Sequence, residues 1–225
     1  NSLESFYDRY ITEQMPADTL DAIQRVPAFS ERFAEMLSAM KSDKTENLII
    51  DLRKNQGGWT PITLATLYML FGDRYLTTNM GTCSALRISP LYMQKINSTL
   101  DEFNRSNGTS LRMGDYLFND DNEEQKDKTA DIAEIRRNFI DEAMTASRDL
   151  LRSLDGKPLY TPAHIYVVTD GGPFSAAFHY AFYLSRMGAT VVGTASGQAP
   201  NTYMEQTLFK LPRTGIEGQF SNSLQ

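Results

Sequence analysis

Two segments of this chain share one plan. Residues 46–71, ENLIIDLRKNQGGWTPITLATLYMLF, run from a short apolar stretch through a glycine pair into an apolar, helix-like stretch. Residues 163–188, AHIYVVTDGGPFSAAFHYAFYLSRMG, do the same, and ATVVGTASG follows as another short apolar run. In the first segment Leu48, Ile49, Ile50 and Leu52 predict a strand buried on both faces. Asn55, Gln56, Gly57 and Gly58 break it, and Thr60 and Pro61 are placed as N-cap and first helical residue. In the second, a strand opening at His164 gives way to Gly171-Gly172, then to a helix closed by Gly188. Strand, helix and strand in that order require a parallel crossover, so the fold class is α/β.

The rest of the chain is read around these two segments. Phe29, Phe33, Met36, Leu37 and Met40 recur at helical spacing over residues 28–41. Residues 1–25 read as polar helix or a ragged lead-in. Residues 80–160 are more polar and are expected to form a helical insertion or a long crossover. Within it NDDNEEQKDK (119–128) reads as a solvated loop, and residues 129–154 as helix. LFKLPRTGIEGQFSNSLQ, at the end, suggests irregular strands or turns. The 225 residues suffice for one domain with a real core. The chain opens at Asn1 and stops without an obvious terminal element, so residues 1–225 are expected to be one core within a longer protein.

Composition narrows the partners. A formal net charge of −6 argues against nucleic acid, which needs a basic surface. No apolar run reaches the roughly 18–20 residues of a membrane span. The single cysteine, Cys83, makes no internal disulfide and sits in no zinc pattern, so it is expected to be an inert, buried or half-buried thiol. No metal or cofactor is expected. The sequons at Asn97 and Asn107 carry no weight, because such matches arise often by chance.

The glycine pairs suggest the chemistry. In an open parallel sheet, ligands bind beyond the carboxyl ends of the strands, where both loops fall. Glycine lets backbone N–H groups approach a ligand closely. Two such loops could aim amides at one oxygen anion, with Ser175 at the positive end of a helix as nucleophile. On position alone Ser175 also reads as a helix cap. Phosphate binding uses similar parts, but neither G-x-G-x-x-G nor G-x-x-x-x-G-K-[ST] occurs.

LIIDLRKNQGGW resembles the D-L-R-x-N-x-G-G segment of the S41 peptidases, the tail-specific or C-terminal processing protease family. TDGGPFSAAFHYAFYLSRMGATVVGTASGQAPNTYMEQTLFKLP resembles their nucleophile helix and the strand and loop after it. The resemblance covers residues 28–72 and 160–215. It implies a crotonase- or ClpP-like β–α superhelix core, with Ser175 as nucleophile. It also implies an oxyanion hole formed by the Ala176 amide with one from Gly57 or Gly58. Gly171 and Gly172 are then expected to make room for the substrate. An exported, cell-envelope setting is suggested by the resemblance alone.

There are departures. Many family members use a serine–lysine dyad, with the lysine in a loop after the next strand. Here that loop reads SGQAPN, and Gln198 stands at the lysine's place, where it is expected to bind or support rather than to take a proton. Phe178 stands where a glutamate is frequent. Of the two histidines, His164 lies some 15 Å or more from Ser175 at about 3.3 Å per strand residue. His179 follows Ser175 by four residues and is a candidate base, alternatively a histidine packed among Phe178, Phe182 and Tyr183. Glu205 could orient it as a third member. The base could also lie outside these residues.

The leading expectation is a serine endopeptidase acting on peptide or protein substrates through an acyl-enzyme. The alternatives are an inactive relative that binds peptides in the same groove, and a crotonase-like acyl-transfer or lyase enzyme.

Overall fold

The computed structural model describes residues 2–80, 83–120, 131–143, 145–199 and 201–224, without the side chains of 2, 119, 120, 145, 146, 204 and 205. In chain order the elements are α1 (Ser2–Phe6), a π-helical turn (Tyr7–Ile11), α2 (Thr19–Arg25), α3 (Phe29–Ser42), β1 (Asn47–Asp51), α4 (Pro61–Phe71) and α5 (Asp73–Thr77). Then come β2 (Cys83–Arg87), α6 (Pro90–Lys95), α7 (Leu100–Asn107), β3 (Tyr116–Asp120), α8 (Ile132–Glu142) and α9 (Thr145–Leu154). The last are β4 (His164–Thr169), α10 (Ala176–Arg186), β5 (Thr190–Gly193), β6 (Tyr203–Lys210) and β7 (Glu217–Leu224). They fall into two compact units.

One unit joins Asn1–Leu48, Trp59–Leu76 and Ile135–His164 and is helical. At its centre is α4, whose residues from Ala65 to Phe71 are all buried, as expected of a helix that is apolar all round. Pro61 opens it at the first helical position, where a missing N–H costs nothing. Helices α3 and α9 pack against it, with Leu37, Tyr68 and Leu151 fully buried. The Arg136 guanidinium bridges Asp73 and Asp155, 2.9 Å from the latter's Oδ1, and pins α8 within this unit.

The other unit joins Ile49–Gly58, Thr77–Glu134 and Ile165–Gln225. Its first sheet has the order β1-β4-β5, and β4 and β5 run parallel with Thr169 opposite Gly193. The crossover between them is α10. This is the parallel crossover that the second glycine segment predicts. Ile165, Val167 and Thr169 of β4 face the interior. β1 differs from expectation: Leu48 is buried but Ile49 is 65% exposed. It is an edge strand, so its apolar run alternates between a covered and an uncovered face.

The second sheet is antiparallel, in the order β3-β2-β7-β6. Its strands correct two expectations. The 80–160 segment is not purely helical, since it supplies β2 and β3, paired from Cys83–Asp120 to Arg87–Tyr116. The last residues are not irregular; β6 and β7 form a regular hairpin from Tyr203–Leu224 to Lys210–Glu217. One face of this sheet is covered by α6 and α7 through Ile88, Met93 and Phe103, with Leu86 and Leu117 packed against them. Cys83 opens β2 and is exposed, contrary to the buried thiol expected. Of the acidic run at 119–128, Asn119 and Asp120 close β3 and the remainder lies outside the described residues.

Candidate active site

Both glycine loops leave the carboxyl ends of neighbouring strands, β1 and β4, and they meet. A Cβ placed on Gly57 would stand 2.9 Å from the Ala176 nitrogen and 2.9 Å from Ser175 Cβ, and would collide with the Phe174 carbonyl oxygen. The backbone of the first loop therefore lies flat against the turn that carries Ser175. Gly57 has φ +85°, which glycine adopts without strain.

Hydrogen bonds stitch the loops together. The Asn55 carbonyl accepts from the Phe174 N–H at 3.2 Å. Gln56 Nε2 donates to the Gly172 carbonyl at 3.0 Å. Asp170 Oδ1 accepts from the Lys54 N–H at 3.0 Å and from the Gly172 N–H at 2.8 Å. The Lys54 and Gly172 amides hold the Asp170 carboxyl below its ordinary range. Asp170 escapes the sequence reading, although it is the polar residue next to the second glycine pair, and Asn55 is read there only as a strand breaker. Arg53 of the same loop turns back on its own strand and forks onto Asp51, lowering that exposed carboxyl to about 2.

Ser175 is the N-cap residue of α10 by position, yet its side chain makes no capping hydrogen bond. Its backbone sits at φ +53° and ψ −124°. A non-glycine residue in such a conformation costs on the order of 1–3 kcal/mol, and such strain gathers at functional sites. Ser175 Cβ lies against the Gly57 loop. Gln198 supports the turn: its Oε1 accepts from the Ser175 N–H at 2.5 Å, while its Nε2 is buried with no partner among the described residues. No lysine bonds the Ser175 hydroxyl among the described residues. Replacing Gln198 by Ala is expected to leave the Ser175 N–H unpaired and to cost about 1–3 kcal/mol, read from the urea midpoint.

The remaining candidates are placed as follows. The Gly57 N–H is taken by Asn55 Oδ1 at 2.9 Å. The N–H groups of Gly58 and Ala176 make no hydrogen bond among the described residues. Of the first glycine pair, Gly58 is thus the residue with an amide to offer. Gly171 is open, with nothing within 4 Å of an added Cβ, whereas Gly172 lies against Lys54 and Asp170. The Gly171 carbonyl accepts from the Gly197 N–H at 3.1 Å, which ties the Gln198 loop to the Ser175 loop. His179 donates its backbone N–H to the Ser175 carbonyl at 3.0 Å, and its ring stacks on Tyr183 and meets Phe178 edge-on. Because Ser175 is not itself helical, the four-residue spacing does not fix the distance between the two side chains. Glu205 belongs to β6, and its side chain lies outside the described residues. Along one side of α10 and β5 runs a cavity of about 400 Å³, lined by Phe178, Ala181, Phe182 and Val191 and reaching Gln198.

The sequence model of peptidase family S41 matches residues 22–216. The chain belongs to peptidase family S41. That range takes in both glycine loops, Ser175 and Gln198, so the site just described is part of a serine-peptidase family core. Among solved structures the chain resembles the crystal structure of mature CPAF at 18% sequence identity and a TM-score of 0.50, over 94% of this chain and 40% of that one. The structure of mature CPAF complexed with lactacystin gives 18% identity and a TM-score of 0.48, over 88% of this chain and 39% of that one. At this identity the likeness speaks to the α/β fold alone. The S41 chain described here spans about two-fifths of the length of the structures it matches. No curated protein matches the sequence. No helix among the described residues is long and apolar enough to cross a membrane.

Proposed function

We propose that this S41 core carries the nucleophile and oxyanion hole of a serine endopeptidase. Ser175 Oγ attacks the carbonyl carbon of a peptide bond, and the amides of Gly58 and Ala176 receive the negative charge on the carbonyl oxygen. The amine leaves with the proton that the base took from Ser175, and water hydrolyses the acyl-enzyme. Gln198 keeps the Ser175 turn in its strained form. No metal or cofactor enters these steps.

The observation that carries this reading is the Ser175 backbone at φ +53° with the hydroxyl unused as a cap. A serine that served only to cap the helix would have an extended backbone and would accept from one of the first helical amides. Two further observations agree. Gly57 is pressed against Ser175 and Ala176, and two amides beside it are unpaired among the described residues.

For the base we propose His179, oriented by Glu205, and weigh it against a group supplied from outside residues 1–225. Acylation kinetics of the full-length protein test both the mechanism and this assignment. The probe is an activated nitrophenyl ester of an N-acylated phenylalanine, since the cavity beside Gln198 is walled by apolar side chains. A burst of one nitrophenol per protein, followed by slow turnover, is expected of an acyl-enzyme. No burst with well-folded protein, and no turnover, would favour the inactive, peptide-binding alternative. His179→Ala should slow the burst by about 10²–10⁴-fold if His179 is the base. A burst unchanged in rate transfers that role to a group outside residues 1–225.

A further inference from the structure

Asp170 is the one side chain among the described residues that bonds the backbone of both glycine loops. Its Oδ1 takes the Lys54 N–H of the first loop at 3.0 Å and the Gly172 N–H of the second at 2.8 Å. The two bonds arrive at a single oxygen, so the loops cannot slide apart without one of them breaking. The contact is also tight on the backbone side: a Cβ on Gly172 would fall 2.6 Å from Lys54 Cα and 2.8 Å from Asp170 Oδ1. Four residues after Lys54 comes Gly58, and six residues after Asp170 comes Ala176. The amides assigned to the oxyanion hole are thus short extensions of the two segments that Asp170 joins.

An oxyanion hole works only when both donors sit about 3 Å from one point, and a displacement of about 1 Å costs some two orders of magnitude in rate. The other bonds between the loops, Phe174 N–H to the Asn55 carbonyl and Gln56 Nε2 to the Gly172 carbonyl, come from different residues. Among the described residues Asp170 alone bonds the backbone of both loops through one atom.

We infer that Asp170 is a positioning residue for the reaction: its Oδ1 fixes the spacing of the Gly58 and Ala176 amides by accepting from both loops. The inference rests on the assignment of Ser175 as nucleophile. It requires an acceptor oxygen at that position and not a charge, which separates it from a general electrostatic role. Asparagine presents an oxygen in the same place and glutamate presents it one methylene further out.

The experiment compares Asp170→Ala, Asp170→Asn and Asp170→Glu in the full-length protein, with kcat, KM and the rate of labelling by a fluorophosphonate. Asp170→Ala is expected to lower kcat and the labelling rate by 30-fold or more with KM within about twofold, because the hole is realised in the transition state. Asp170→Asn is expected to stay within about threefold of the natural protein, and Asp170→Glu to resemble Asp170→Ala. If Asp170→Ala does not fold, the Asn and Glu variants decide. A fast Glu variant beside a slow Asn variant overturns the inference, as does Asp170→Ala labelling within threefold of the natural rate. Ser175→Ala run alongside separates the two readings: if Ser175→Ala is still labelled at that site or still turns over, the nucleophile assignment has failed and not the clamp.

Discussion

Ser175→Ala is expected to abolish peptidase turnover in the full-length protein, by about 10⁴-fold or more, while leaving its stability within about 0.5 kcal/mol. Both halves of that result follow from the backbone. The hydroxyl makes no bond to the helix amides, so removing it takes no cap away. Alanine meets the same strain at φ +53° that serine does, so the conformational term cancels. A serine that merely capped the helix would show the reverse pattern, a loss of about 0.5–2 kcal/mol with activity largely intact. Urea unfolding and a peptide-cleavage assay on the same preparation read both quantities.

Gly57→Ala is expected to have the second largest effect, although Gly57 offers no amide to the substrate. Its N–H is held by Asn55 Oδ1. An alanine methyl would collide with the Phe174 carbonyl and crowd the Ala176 nitrogen and Ser175 Cβ, all of them fixed parts of the nucleophile turn. The positive φ adds about 1–2 kcal/mol of its own. The loops must part, and the hole opens with them. A fall of about 10²–10³-fold in kcat is expected, comparable to the loss of one oxyanion donor. Gly171→Ala is the control, because a Cβ there meets nothing within 4 Å. It should leave stability nearly unchanged. Equal losses of stability at the two positions would refute the packing argument.

The parts of this fold that the sequence discloses are those governed by local rules. The glycine pairs, Thr60-Pro61 and Gly188 punctuate the strand–loop–helix segments at the chain positions where β1, α4, β4 and α10 begin and end. The α3 stripe follows helical spacing, with Phe33 and Leu37 buried as that spacing requires. Strands β2 and β3 were hidden because CSALR and YLFND are short and alternate weakly. β7, EGQFSNSL, is polar enough to read as turns, yet its pairing with β6 and β2 satisfies its backbone. The exposure of Ile49 depends on β1 lying at a sheet edge, and nothing within the strand itself records that.

At the site the division is similar. That the two glycine loops meet beside Ser175 was legible because glycine pairs at strand ends carry a backbone requirement in their composition, whereas Ala176 entered only through the S41 resemblance. Gln198 was expected to bind or support, but its partner was not legible, because it lies 23 positions from Ser175. Asp170, which reaches across 116 positions to Lys54, was not foreseen. An aspartate before a glycine pair reads as ordinary turn chemistry until its partner is known. The same limit applies to His179: an interval of four is informative only between helical residues, and the strained backbone takes Ser175 out of the helix.

The central claim is that the Ser175 hydroxyl is an activated nucleophile, and the position of a covalent adduct tests it most directly. Full-length protein is treated with a fluorophosphonate, digested, and the modified peptide located by mass spectrometry. The account predicts one adduct per chain, on Ser175, formed at least about 10²-fold faster than on heat-unfolded protein, given what a positioned base contributes. An adduct on any other residue, or none on Ser175 in a protein that cleaves peptides, would contradict it.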